Sequence, residues 1–163
     1  NSLYGQCKKS LHELLKSIRN TYYPEVKIIW PRIGYFFGEN EPKEKLLSKL
    51  IDHIQKGLPI ELAAPDFERP YAHVHYFGDI ISQILMKKHW DDLTFNMSTS
   101  ISYKIKEIVE FIQKKTHQNT SKISYNVYPS EPRSLLVNSS LLESNLGVTI
   151  PDTFFDDLEK LIG

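Results

Sequence analysis

Apolar positions recur along this chain at two different spacings, and the changes between them mark its elements. Leu11, Leu14, Leu15 and Ile18 fall at i, i+3, i+4 and i+7, which predicts a first helix over about residues 6–20, with Pro24 barring its continuation. Residues 26–30 are short, β-branched and bounded by Pro24 and Pro31, the pattern of a buried strand. Pro42 suits the first turn of a second helix, whose Leu46, Leu47, Leu50, Ile51 and Ile54 share one side until Gly57 stops it. Residues 58–63 read as a short edge strand. Residues 71–75 read as another, running into a helix that carries Ile80, Ile81, Ile84 and Leu85 and ends near Lys87 and Lys88. A strand over 93–97 precedes a fourth helix, with Ser102 as its N-cap and Ile105, Ile108, Val109 and Ile112 facing one way. Residues 122–128 alternate as a strand, placing Ile123, Tyr125 and Val127 on one face. Two short helices follow, over 139–145 and 152–162. This alternation predicts an α/β or α+β fold, uninterrupted by a repeat or a low-complexity tract.

The chain has 163 residues, one domain's worth, and balances 20 Lys+Arg against 20 Asp+Glu. Non-specific nucleic-acid binding and attachment to an anionic membrane both need a clustered basic field, so neither is expected as a partner. No apolar run approaches the roughly 20 residues of a membrane span. The single cysteine, Cys7, excludes an internal disulfide framework and suits a reducing compartment, so a cytoplasmic location is expected. None of the 7 glycines fall at the spacing of a dinucleotide turn or a P-loop. The chain carries no phosphate cradle of its own.

Tyr4 and Lys8 are spaced to share one face of the first helix, one turn apart. A phenol of pKa about 10 needs such a cation to exchange protons near neutrality. About one pair at this spacing is expected by chance, and Tyr23 with Lys27 is a second one, whose helical geometry Pro24 breaks. Arg69 suits an anionic group through its planar guanidinium, or a surface salt bridge with Asp66 or Glu68. Arg32 reads as structural. No metal is expected: His73 and His75, two apart on a strand, would point to opposite faces, and His12, His53, His89 and His117 are scattered. Cys7 reads as an inert small residue. Tyr22, Tyr23, Phe36 and Phe37 read as core and interface aromatics.

Taken in order, Tyr4-Gly5-Gln6-Cys7-Lys8, Pro31-Arg32-Ile33-Gly34-Tyr35-Phe36-Phe37-Gly38, Lys56-Gly57-Leu58-Pro59-Ile60, Arg69-Pro70-Tyr71-Ala72-His73-Val74, Phe95-Asn96-Met97-Ser98, Glu131-Pro132-Arg133 and Leu146-Gly147-Val148 form a colinear set. This set resembles the extended short-chain dehydrogenase/reductases, the NAD-dependent epimerases and dehydratases, over the C-terminal half of their usual length. The resemblance implies an α/β fold, the C-terminal part of a Rossmann-like NAD(P) epimerase/dehydratase with its smaller substrate-binding domain, built of mixed short strands and about six helices. Residues 1–38 would be a remnant of the Rossmann domain and 39–163 the substrate-binding region, with 90–115 a stretch that could pack back on the former.

By the same resemblance Tyr4 is the catalytic acid/base, Lys8 lowers its pKa and holds the nicotinamide ribose, and Arg69 with Arg133 contacts a nucleotide-sugar diphosphate. The cofactor would be NAD or NADP, bound mainly by a missing N-terminal Rossmann half, without which the chain could not catalyse. The alternative is a non-catalytic module binding a nucleotide sugar or a protein; a homodimer through the first helix is a further possibility. Several positions depart from the pattern: Tyr35 stands where an Asn is frequent, Tyr76 where an acidic residue is, and Val127 and Tyr128 where a basic one is.

Overall fold

Ser2 starts the first helix by accepting the Gly5 N–H on its hydroxyl at 3.1 Å, so α1 runs Leu3–Tyr22, beginning earlier than its apolar spacing predicts. The computed structural model describes residues 2–62, 64–87, 91–118, 122–126 and 132–163. After α1 come β1 (Ile29–Ile33), β2 (Tyr35–Phe37), α2 (Leu46–Gln55), β3 (Ile60–Leu62), β4 (Glu68–Arg69), β5 (Tyr71–His73) and α3 (Val74–Met86). Then follow β6 (Leu93–Met97), β7 (Tyr103–Lys104), α4 (Ile105–Thr116), β8 (Ile123–Tyr125), α5 (Ser140–Leu146) and α6 (Phe154–Ile162). The strands form pairs: β1–β6, β2–β5 and β3–β8 are parallel, and β4–β7 is antiparallel. This is the mixed α/β arrangement that the alternation predicts.

Several boundaries differ from expectation for identifiable reasons. The first strand starts at Ile29 and not at Val26, because the Val26 N–H closes a turn on the Tyr23 carbonyl and the Ile28 N–H goes to the Asp92 carboxylate. Pro31 lies inside β1, opposite Phe95, a position an edge strand tolerates. Ser102 does not cap α4: its hydroxyl donates to Glu68 Oε2 at 3.2 Å, and the cap position falls to Lys104, whose N–H donates to Glu107. Tyr71–His73 is a strand, but the chain turns helical at Val74 with His73 as N-cap. His73 and His75 therefore do not alternate across a strand, which corrects the reading that they face apart. Ala63, Lys88, His89, Val127, Tyr128 and Glu131 lie outside the described residues.

Burial divides into two clusters. One joins α2, α4 and α6 over β3 through Leu47, Leu50, Ile54, Ile108, Ile112 and Leu158. Phe154 inserts between Phe37, Tyr71 and Tyr103, stacking on Tyr103 at 4.4 Å. The other gathers Phe95 and Met97 of β6 with Ala72, Ile80 of α3, Leu142 of α5 and Ile150. The stripe on α1 joins neither. Leu11, Leu14, Leu15 and Ile18 stay exposed, as do Tyr22 and Tyr23, and His12 is the one buried α1 residue among those described. Phe37, in contrast, is buried.

The titrating groups predict how this fold responds to acid. Burial and the Lys16 charge lower the pKa of His12 from 6.5, so its protonation opposes folding once the pH falls below that value. Asp92 is held below 3.8 by the Ile28 N–H, and Asp66 by its hydrogen bond from Lys106; both favour folding while ionised and lose that contribution as the pH falls below 3.8. The urea midpoint, followed by circular dichroism, is expected to decline first below pH 6.5 and again below 3.8, and His12→Gln to remove the first step. A midpoint unchanged from neutrality to pH 3 contradicts this.

Candidate functional site

The site is organised by how α1 is fixed to the sheet. His12 stacks on Trp30 of β1 at 4.4 Å, with interplanar angle 11°, and reaches Thr94 of β6 at 3.5 Å. Arg19 pairs with Asp92, whose other carboxylate oxygen takes the Ile28 N–H at 2.9 Å. These contacts hold one side of α1 against β1 and β6. Tyr4 and Lys8 stand one turn apart on this helix, with Lys8 Nζ 5.7 Å from the centre of the Tyr4 ring. Both are exposed, Tyr4 to 73%.

Ligands of open parallel sheets sit beyond the carboxyl ends of the strands. Here β1 and β6 end together, where the Gly34 N–H donates to the Met97 carbonyl at 2.8 Å. A Cβ at Gly34 would meet Ser98 Oγ at 2.7 Å and the Met97 carbonyl at 3.2 Å, so only glycine lets the strands close there. Gly34→Ala is expected to cost about 1–3 kcal/mol of unfolding free energy, read by urea denaturation; an unchanged midpoint contradicts this packing. Beyond the same end opens a cavity of about 450 Å³, lined by Ser98, Ser100, Asn138, Glu143 and Thr149 along with aliphatic side chains.

Arg69, the second residue of β4, is only 4% exposed. Its guanidinium sits over the Phe67 ring at 5.4 Å, and Nη1 donates to the carbonyls of Glu68, Pro132 and Arg133 at 2.8, 3.3 and 3.4 Å. The Glu68 N–H also donates to the Arg133 carbonyl, at 2.8 Å. Asp66, a salt-bridge partner suggested by the sequence, is paired instead with Lys106 at 2.9 Å. Arg69 thus ties the strand to residues 132–133 through main-chain oxygens, while the side chain of Arg133 is exposed. The structure joins Tyr4 to Lys8 and Arg69 to the Arg133 backbone.

Two polar groupings escape a linear reading. Tyr76 donates to Thr153 at 2.9 Å, Thr153 to Asp157 at 2.7 Å, and Lys160 to Asp157 at 2.8 Å. Burial pushes the Asp157 carboxyl up, but the bonds from Lys160 and Thr153 outweigh it and its pKa is lowered. The second is the histidine pair. His73 Nδ1 accepts the His75 backbone N–H at 3.3 Å and the His75 Nδ1–H at 2.7 Å, while its Nε2 faces Glu39 at 3.4 Å. Only the H-x-H spacing hinted at this, and the strand assignment hid it. Among the described residues no group of three or more His, Cys, Asp or Glu is placed to hold a metal, and no helix is long and apolar enough to cross a membrane.

No family model matches the sequence. Solved structures do. MoeE5 in complex with UDP-glucose and NAD superposes at a TM-score of 0.87 and 19% identity, over 99% of this chain and 54% of its own. The NAD complex of dTDP-glucose 4,6-dehydratase from Bacillus anthracis str. Ames matches at 0.84 and 20%, over 99% and 51%. This chain has the fold of the C-terminal half of the NAD-dependent nucleotide-sugar epimerases and dehydratases. UDP-glucose 4-epimerase from Thermotoga maritima, with UDP-glucose, shows the same epimerase fold at 0.85 and 14%, over 98% of this chain and 52% of its own. The chain thus spans about half the length of the epimerase-like structures it matches. Among curated proteins, the arginine–tRNA ligase of Streptococcus mutans serotype c is 26% identical over 98 residues, which is 52% of this chain and 17% of the ligase. So small a share of the ligase carries none of its activity over.

Proposed function

We propose that this chain forms the substrate side of an NAD(P)-dependent nucleotide-sugar epimerase, dehydratase or reductase, and that the cofactor's glycine-rich cradle lies in polypeptide outside these 163 residues. One observation carries the reading. The apolar stripe of α1, the Tyr4–Lys8 pair and the β1 edge away from β6 are all uncovered among the described residues, as expected of a layer awaiting its partner. The half-length match supports it. On this reading residues 1–38 belong with the cofactor side, joined by β6, and the rest forms the substrate side.

The residues present fit part of a dinucleotide. Tyr4 and Lys8 offer a hydroxyl and an ammonium one turn apart, suited to a nicotinamide ribose, while nothing in the glycine pattern would hold the pyrophosphate. When bound, the nicotinamide supplies the hydride chemistry. The Tyr4 phenol gives or takes the proton at the reacting sugar oxygen, and the Lys8 ammonium, one turn away, holds the nicotinamide ribose beside it. Arg133 meets the substrate diphosphate, and Arg69 adds positive charge behind it while fixing the backbone that carries Arg133. Calorimetric titration with UDP-glucose tests the substrate side: binding is expected, with a loss of about tenfold or more in Arg133→Ala. No binding, or binding indifferent to Arg133, contradicts the assignment.

The exposed α1 stripe also favours a second reading, a non-catalytic module that binds a nucleotide sugar or a protein and pairs with its own copy through α1. Light scattering over a range of concentrations separates that pairing from a monomer, and Leu14→Glu would abolish it.

A further inference from the structure

The geometry points to a bidentate site for a divalent copper ion on His73 and His75, a binding site that does not depend on the proposed enzymatic reading. The chain leaves β5 at His73 and enters α3 at Val74, which swings the His75 ring back onto the His73 ring, 4.7 Å apart between centres. Their Nδ1 atoms converge to 2.7 Å. Two nitrogens each about 2.0 Å from a metal stand about 2.8 Å apart when cis at a right angle, and about 3.3 Å apart around a tetrahedral centre. The separation, set in the free protein by the hydrogen bond between the rings, lies close to the cis value, so little movement is needed for the tetragonal arrangement of Cu(II), the ion that also heads the divalent affinity order.

Both rings are held in place before any ion arrives. The His73 side chain is 12% exposed, set edge-on to Phe37 at 5.4 Å, with its Nε2 toward Glu39. The tautomer is fixed by the His75 backbone N–H donating to Nδ1, which makes Nδ1 the lone-pair nitrogen and leaves the proton on Nε2, facing the Glu39 carboxylate. A carboxylate behind a ligating imidazole is the usual outer support of such sites. His75 is exposed and lies against the Tyr76 ring, so its proton can pass from Nδ1 to Nε2, toward solvent, as Nδ1 takes the ion. The ion would displace the 3.3 Å bond from the His75 N–H, and the coordination positions left over would belong to water or a small ligand.

Titration of the whole chain with Cu(II) in a non-chelating buffer, followed by electron paramagnetic resonance, tests this. One equivalent is expected to bind with coupling to two nitrogens. His75→Gln, at an exposed position that leaves the fold intact by circular dichroism, should reduce the coupling to one nitrogen, and Glu39→Gln should weaken binding by about tenfold. The double variant His73→Gln/His75→Gln should retain only the weak binding of the remaining histidines. Cu(II) held as tightly by the double variant, a two-nitrogen signal that survives His75→Gln, or Zn(II) bound more tightly than Cu(II) would each overturn the site.

Discussion

Arg69→Met is expected to lower the unfolding free energy by about 3 kcal/mol, while Arg133→Met changes it by no more than about 0.5 kcal/mol. The difference follows from where the two charges sit. Arg69 is buried, and its guanidinium donates to the carbonyls of Glu68, Pro132 and Arg133, three contacts that methionine would remove together. Methionine keeps most of the apolar stem against Phe67, so the loss reports mainly the polar contacts. The Arg133 side chain is exposed, and its removal leaves the backbone bonds in place. Urea unfolding followed by circular dichroism reads both. Equal and small effects would show that Arg69 is no anchor for residues 132–133.

The second large effect concerns Tyr4. In the assembled enzyme, Tyr4→Phe is expected to lower kcat by about 10²–10⁴-fold, the usual contribution of a positioned acid or base, with nucleotide-sugar affinity nearly unchanged. Stability should move by no more than about 0.5 kcal/mol, because Tyr4 is 73% exposed and gives no packing to either core cluster. That combination separates chemistry from folding. A variant that turns over as fast as the parent would remove Tyr4 from the acid/base role, and one that unfolds would show that its ring packs on something.

Where one face of an element carried the information, the sequence was readable. Leu47, Leu50 and Ile54 on α2, and Ile105, Ile108, Val109 and Ile112 on α4, are buried as their spacing implies, and Gly147 ends α5 in the left-handed conformation its position suggests. The α1 stripe obeys the same periodicity and is exposed, since periodicity records which face is apolar and not what covers it. The strands β2, β4 and β7 are too short to leave a pattern, and their partners lie far along the chain.

Among the candidate site residues, the helical spacing of Tyr4 and Lys8 translated directly into adjacency. Arg69 could be picked out as a scarce arginine, but its burial against main-chain carbonyls depends on the approach of residues 132–134, which no local pattern encodes. The histidine pair was misread for a similar reason. Residues 71–75 read as one strand, whereas the His73 ring accepts the His75 N–H and turns the chain into α3 two residues sooner.

The central claim, that this chain is one side of a dinucleotide enzyme, is tested most directly by titrating NAD into the chain expressed together with the polypeptide encoded immediately ahead of Asn1. That polypeptide is expected to have about 130–170 residues opening on a strand and a G-x-x-G-x-x-G turn, and one NAD is expected to bind per assembled pair but none to this chain alone. An assembled product that lacks that turn and binds no NAD would contradict it.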